Sequence, residues 1–254
     1  MTASDARIER YRAARDLVLE RIADACARAG RQPGDVTLVA VSKTVPAAAL
    51  RDAVAAGLTL LGENRVQEGA TKAPEVPGAR WHLVGPLQSN KARRAVEVFE
   101  SIESVDSVEL ARRLDRLAGE VRPGARYPIL LQVNVDGDPA KAGFEPADLE
   151  RAMEAMGELE SIEVRGLMTI GRLVARPEDA RPTFKALRAT SDRLRASGSA
   201  IGPDLSMGMT DDFELAVEEG ATIVRVGRAL FGEREHDHDQ GHGADAAADH
   251  GGAR

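Results

Sequence analysis

Near the N-terminus, Ile8, Tyr11, Val18, Ile22, Ala25 and Cys26 recur at three- and four-residue steps, with Arg, Asp and Glu between them. This pattern predicts a helix over Ser4–Ala29, stopped by Gly30 and Pro33-Gly34. An alternation then begins. Short apolar, β-branched runs predict strands at Thr37–Val41, Leu58–Leu61, Trp81–Val84, Ser101–Val105, Ile129–Val135, Val164–Met168, Asp204–Met207 and Thr222–Val226. Amphipathic stretches between them predict helices at Ala47–Ala56, Val66–Ala73, Lys91–Val98, Val108–Glu120, Pro146–Leu159, Pro177–Ser197 and Asp211–Glu219, with a short one opening near Arg228. Eight strands alternating with helices over about 200 residues are the signature of a (β/α)8 TIM barrel, here with an extra N-terminal helix. An open doubly wound sheet is the runner-up. It would use fewer strands and a Gly-rich dinucleotide turn, and no G-x-G-x-x-G follows the first strand.

Composition narrows the classes. The 254 residues are 43% hydrophobic and 30% charged, enough for one sizeable core and wrong for a disordered or coiled-coil chain. The barrel accounts for residues 1–234 as a single domain. The remaining 235–254 stretch is rich in Gly, Ala, Asp and His and is expected to be disordered. It contributes −4 (five acids, one Arg) to a net charge of −7, so the body carries only −3 and lacks a nucleic-acid binder's basic footprint. One cysteine, Cys26, allows no intramolecular disulfide or Cys-rich zinc site and reads as a small core hydrophobe. No apolar run of about 18 residues predicts a membrane span. The charged N-terminus does not resemble a signal peptide, so a cytoplasmic protein is expected.

In such a barrel, residues at the carboxyl ends of the strands face the functional site. Here these are Ser42-Lys43, Gly62-Glu63-Asn64, Gly85-Pro86 with His82 just inside, Asp106, Asn134, Met168-Thr169, Ser206-Met207-Gly208 and Arg225 with Gly227. Lys43 follows a nearly continuous apolar run. A desolvated amine favours its neutral form and can attack a carbonyl, whereas the ordinary reading is a snorkelling surface lysine. After the last two strands, Ser206-Met207-Gly208-Met209 and Gly227-Arg228-Ala229 put small residues where loops become helices, a setting in which backbone N–H groups bind phosphate. An imine lysine and a phosphate cradle in one barrel point to a phosphorylated aldehyde: a sugar phosphate or pyridoxal 5′-phosphate.

Several blocks then become recognisable: Val41-Ser-Lys-Thr44, Gly62-Glu-Asn64 with Val66-Gln-Glu68, Trp81-His82 with Gly85-Pro-Leu-Gln-Ser-Asn-Lys91, Gly166-Leu-Met-Thr-Ile170, Leu205-Ser-Met-Gly-Met209, and Val224-Arg-Val-Gly227 with Phe231-Gly232. From about Val39 to Arg234 the chain resembles the pyridoxal phosphate homeostasis proteins, which are related to the N-terminal barrel of alanine racemase. The resemblance implies Lys43 as the Schiff-base lysine, holding the cofactor as a covalent aldimine. It implies Ser206, Gly227 and Arg228 around the phosphate, the last two through backbone N–H groups. Arg225 would face the pyridine nitrogen, and Asn64, His82 and Met168 would line the pocket. The chain departs from the family pattern at Arg65, usually an aromatic, at Arg228, usually a Thr, and at the looser Ala140-Lys141-Ala142-Gly143 turn.

The function so implied is cellular pyridoxal phosphate homeostasis by a non-catalytic binding protein, without catalytic residues and with pyridoxal phosphate as its cofactor. Its partners would be pyridoxal phosphate and the apoenzymes that use it, with no nucleic acid and no membrane; a monomer is expected, a dimer being the alternative. A pyridoxal phosphate-dependent amino-acid racemase is the competing class, and a sugar-phosphate aldolase ranks below it. His82, beside the only Trp, reads as a core histidine before a general base. The other four, His236, His238, His242 and His250, read as a solvated tail before a metal site.

Overall fold

The protein is described from a computed structural model over residues 2–172 and 174–232. Its strands are β1 (Thr37–Val41), β2 (Leu60–Glu63), β3 (Arg80–Leu83), β4 (Ser101–Val105), β5 (Tyr127–Gln132), β6 (Ile162–Met168), β7 (Asp204–Ser206) and β8 (Ile223–Val226). Each pairs in parallel with its sequence neighbour, and β8 closes on β1 through Thr37–Ile223 to Ala40–Val226. The helices are α1 (Ala3–Arg28), α2 (Ala47–Ala55), α3 (Val66–Lys72), α4 (Ala92–Val98), α5 (Val108–Val121), α6 (Leu149–Ala155), α7 (Arg181–Ala196), α8 (Phe213–Glu218) and α9 (Arg228–Phe231). The fold is the barrel expected from the alternation.

Each βα unit follows from local chemistry. In α5, Leu110, Ala111, Leu114, Leu117 and Ala118 form one buried stripe, and the Ser107 hydroxyl accepts the Leu110 N–H to cap the first turn. The leading α1 carries a capping box between Thr2 and Asp5 and buries Tyr11, Val18, Ile22, Ala25 and Cys26. It is fastened to the barrel's outer ring by Arg7–Asp52, Arg21–Glu214 and Arg28–Glu218 ion pairs at 2.7–2.9 Å. These pairs are solvent-accessible and each is worth at most about 1 kcal/mol, so the apolar stripe fixes the helix.

Two layers of apolar packing result. One lies between the strands and the helical ring; the other, inside the barrel, joins Val39, Leu60, Val84, Leu130, Met168 and Ile223 with Val41 against them.

The differences from the expected boundaries are small and have a reason. β2 begins at Leu60 rather than Leu58 and runs through Gly62-Glu63, because Gly57 turns at φ +92° and Thr59 already receives the Arg80 N–H. β5 starts earlier, at Tyr127, and stops at Gln132, and α6 is shorter at both ends than the Pro146–Leu159 stretch. The start of the Pro177–Ser197 stretch winds as a 3-10 turn, Pro177–Ala180, before α7. Among the described residues no helix is long and apolar enough to cross a membrane. Residues 233–254, including the expected domain end, the tail and its four histidines, lie outside the described residues.

Candidate functional site

Lys43 leaves the carboxyl end of β1 half-buried, and the residue after it is conformationally unusual. Thr44 has φ +68°, a left-handed conformation that a β-branched residue adopts only when its surroundings impose it. The imposing contacts are visible below. Ser42 is fully buried; its hydroxyl donates to Glu63 Oε1 at 2.7 Å, and its carbonyl accepts from Lys72 Nζ at 3.0 Å. Lys72 also donates to Glu63 Oε1 at 2.7 Å. Glu63 is itself fully buried, and its Oε2 has no partner among the described residues. Burial pushes the Glu63 carboxyl up, while hydrogen bonds from Lys72 and Ser42 pull it back part of the way. The lysine's backbone is thus clamped from β2 and α3.

The β8 end lies against the same strand. A Cβ on Gly227 would sit 3.3 Å from the Val41 carbonyl oxygen, so its backbone runs close beside the last residue of β1. Gly227 opens α9, its N–H directed at the Thr210 hydroxyl at 3.4 Å. The Arg228 side chain pairs with Asp211, away from its own backbone. In the loop after β7, Gly208 has φ +91° and no room for a side chain: a Cβ would lie 2.5 Å from that of Ala216. The Gly208 carbonyl accepts the Arg225 N–H at 3.0 Å, tying this loop to β8.

Between the two ends, a polar chain crosses the barrel interior. His82 Nδ1 and Glu103 Oε1 are 2.6 Å apart; Ser206 donates to Glu103 Oε2 at 2.5 Å; Arg225 Nη1 donates to Ser206 Oγ at 2.5 Å, and its Nη2 to the Thr169 carbonyl at 2.7 Å. Glu103 and Ser206 are wholly buried and Arg225 nearly so. Burial works against the Glu103 charge, yet the hydrogen bond and field of His82, with Arg225 and the Ser206 hydroxyl, hold its carboxyl below the usual carboxylate range. Burial lowers Arg225 from the ordinary arginine value, opposed by Glu103 and Asp212, and the guanidinium stays charged.

The candidate residues therefore divide. Lys43, Gly227 and the Arg228 backbone gather on the β1/β8 side of the mouth, with Arg225 on β8 beneath. Asn64 sits at the β2 end, where a Cβ on Gly85 would lie 2.3 Å from its carbonyl oxygen; the β2 and β3 ends are pressed together there. Met168, fully buried, ends β6 inside the barrel.

Two placements differ from the sequence reading. The Ser206 hydroxyl is engaged by both Glu103 and Arg225, and the hydroxyl beside the Gly227 N–H belongs to Thr210. His82 lines a cavity at the opposite end of the barrel, among strand-start residues such as Thr37, Arg80 and Ser101, and its Nδ1 also meets Glu103. Asn134, another rim residue, hydrogen-bonds Asp138 in both directions and holds its own loop.

Sequence reasoning missed Glu103 and Thr210, and it placed Glu63 at the rim without its Ser42 and Lys72 partners. The first had a signal: Ser101-Ile-Glu-Ser-Val105 puts an acid in the middle of a strand that is buried throughout.

The chain is similar to known proteins. The family model for the alanine racemase N-terminal domain matches residues 18–235. Pyridoxal phosphate homeostasis proteins from Aquifex aeolicus and Pseudomonas aeruginosa are 42% and 45% identical, each over 86% of this chain and 96% and 94% of their own. The chain belongs to the pyridoxal phosphate homeostasis protein family. A solved member, PipY of Synechococcus elongatus PCC7942 with pyridoxal phosphate bound, is 44% identical, covering 83% of this chain and 100% of its own, with a TM-score of 0.73. Within the matched span lie the clamped Ser42-Lys43-Thr44 turn and the Gly227 backbone beside Val41.

Proposed function

We propose that this protein binds pyridoxal 5′-phosphate at the carboxyl end of the barrel, with Lys43 as the covalent attachment point, and serves the cell's handling of that cofactor. The observation that carries the reading is the apposition of Gly227 and Val41. Barrel closure sets an anion-binding backbone next to the strand that delivers the lysine. The donor set fits the group: a primary amine, main-chain N–H groups with a hydroxyl, and a buried cation.

Bound there, the cofactor supplies an aldehyde that condenses with a primary amine and releases water. The chain supplies the rest. The Gly227 and Arg228 N–H groups and the Thr210 hydroxyl would hold the phosphate. The Ser42–Glu63–Lys72 clamp fixes the direction from which Lys43 approaches. Arg225, held by Ser206 and Thr169, would stand by the ring nitrogen and disfavour its protonation, since two positive charges would then adjoin. Asn64 and Met168 would line the pocket around the ring.

We read the protein as a holder of the cofactor with little or no turnover. Racemisation requires acid–base groups on both faces of the substrate carbon. Neither tyrosine supports a second face: Tyr127 begins β5 and donates its hydroxyl to the Phe99 carbonyl at 2.9 Å, and Tyr11 packs edge-on against Phe231. His82, the remaining candidate, is bound to Glu103 away from the mouth. The enzymes that use pyridoxal phosphate are the partners this reading implies. Titration of the purified protein with pyridoxal phosphate, followed by absorbance and by borohydride trapping, tests it. One-to-one, reducible uptake supports it; failure to take up the cofactor overturns it.

A further inference from the structure

The opposite end of the barrel is open. A cavity of about 620 Å³ lies among the strand starts, within the usual range of small-molecule sites. This face of a TIM barrel ordinarily serves stability and is packed. Here Thr37, Ser101 and Thr222 leave it unfilled.

Its lining has a definite character. Leu60, Leu130 and Ile223 form an apolar floor. Around them stand three arginines and three acids, so the lining is neutral overall. Arg80 pairs with Glu100 at 2.9 Å, and Arg165 approaches Asp204 at 3.4 Å. Arg31 has no acidic partner among the described residues; its Nη1 donates to the Val217 carbonyl at 2.7 Å, and its other donors remain. His82 completes the wall. Its Nδ1 is engaged by Glu103 at 2.6 Å.

We propose that this cavity is a second ligand site, separate from the cofactor mouth, for a small zwitterion of the α-amino-acid class. Its carboxylate meets Arg31, its ammonium faces Asp204 and Glu100 beside His82, and its side chain covers the apolar floor. A dianion would face the three acids, and a plain cation the three arginines. Occupancy is felt at the other end, because the chain from His82 through Glu103 and Ser206 ends on Arg225. A ligand that displaces or polarises the His82 ring alters its contact with Glu103 and so the field around Arg225. Coupling between two such sites is reciprocal.

The test uses the full chain carrying Lys43→Ala, which removes the amine at the far mouth, and the borohydride-reduced, cofactor-loaded wild type. Leucine, glutamate, lysine, acetate, methylamine and inorganic phosphate are titrated by calorimetry and ligand-detected NMR. Saturable one-to-one binding of an amino acid to both proteins is expected, tighter than acetate or methylamine. Arg31→Gln should weaken it roughly tenfold or more, as for one charge-assisted hydrogen bond. Thr37→Trp, which fills the cavity from an exposed strand start, should abolish it while the circular dichroism spectrum stays native. No saturable binding by any probe overturns the site; phosphate binding as tightly as the amino acids overturns its zwitterion class. Amino-acid binding unchanged in Thr37→Trp overturns its location.

Discussion

Arg225 donates to the Ser206 hydroxyl at 2.5 Å, and through it the guanidinium of β8 is joined to the Glu103 carboxylate of β4 across the barrel. A buried cation and a buried anion are thus connected by one hydroxyl that serves both. This arrangement keeps Arg225 charged and fixed in direction, which a lone arginine in a closed barrel would not achieve.

Removing that hydroxyl should harm the fold more than cofactor selectivity. Ser206→Ala leaves a donor of Arg225 and an acceptor of Glu103 unpaired, a loss of about 1–3 kcal/mol in urea unfolding. The preference for pyridoxal phosphate over pyridoxal should persist. Thr210→Val should do the reverse: near-native unfolding, and a preference for the phosphorylated form reduced by roughly tenfold or more. If Ser206→Ala erased the phosphate preference, the assignment of Thr210 would be wrong.

Glu103 should also shape the response to acid. Its folded-state pKa lies below its unfolded one, so its contribution is present above the unfolded value and disappears as pH falls through the folded value. Glu103→Gln should therefore cost stability at neutral pH, on the order of 3 kcal/mol for an uncompensated buried Arg225. The gap from wild type should narrow below about pH 4, where an ordinary Glu also protonates. Denaturant unfolding at several pH values measures this; a gap that widens in acid contradicts it.

Gly208→Ala tests the loop that brings β7 and β8 together. The residue has φ +91° and an added methyl would meet Ala216 at 2.5 Å, so both strain and clash oppose it. A loss of more than about 1 kcal/mol in unfolding is expected, with weakened phosphate binding. Native behaviour in both would show that the loop adapts.

Amino acids incubated with the cofactor-loaded protein should show neither inversion nor appreciable deuterium exchange at the α-carbon, as monitored by NMR and chiral chromatography. Exchange with inversion, lost in His82→Ala, would bring back the racemase reading and require His82 to leave Glu103.

Much of this was legible in the chain. Short apolar runs located the eight strands because several are buried on both faces, the 3.6 periodicity located the helices, and the block around Lys43 stood at a strand end. The interior of the barrel was harder. His82 and Ser206 occupy positions that a linear reading assigns to the rim, yet both are captured by Glu103, which comes from a strand remote in sequence. Pairing between inward side chains on β3, β4, β7 and β8 depends on barrel closure and register, and no local pattern encodes it. Glu63 and Lys72 were similarly hidden, since their meeting needs the β2–α3 turn to exist first.

The most direct measurement is peptide mapping after borohydride reduction of the protein loaded with pyridoxal phosphate. The account predicts a single phosphopyridoxyl adduct, on Lys43, and its loss together with the reducible absorbance band in Lys43→Ala. An adduct of full stoichiometry on any other lysine, or one that survives in Lys43→Ala, would contradict it.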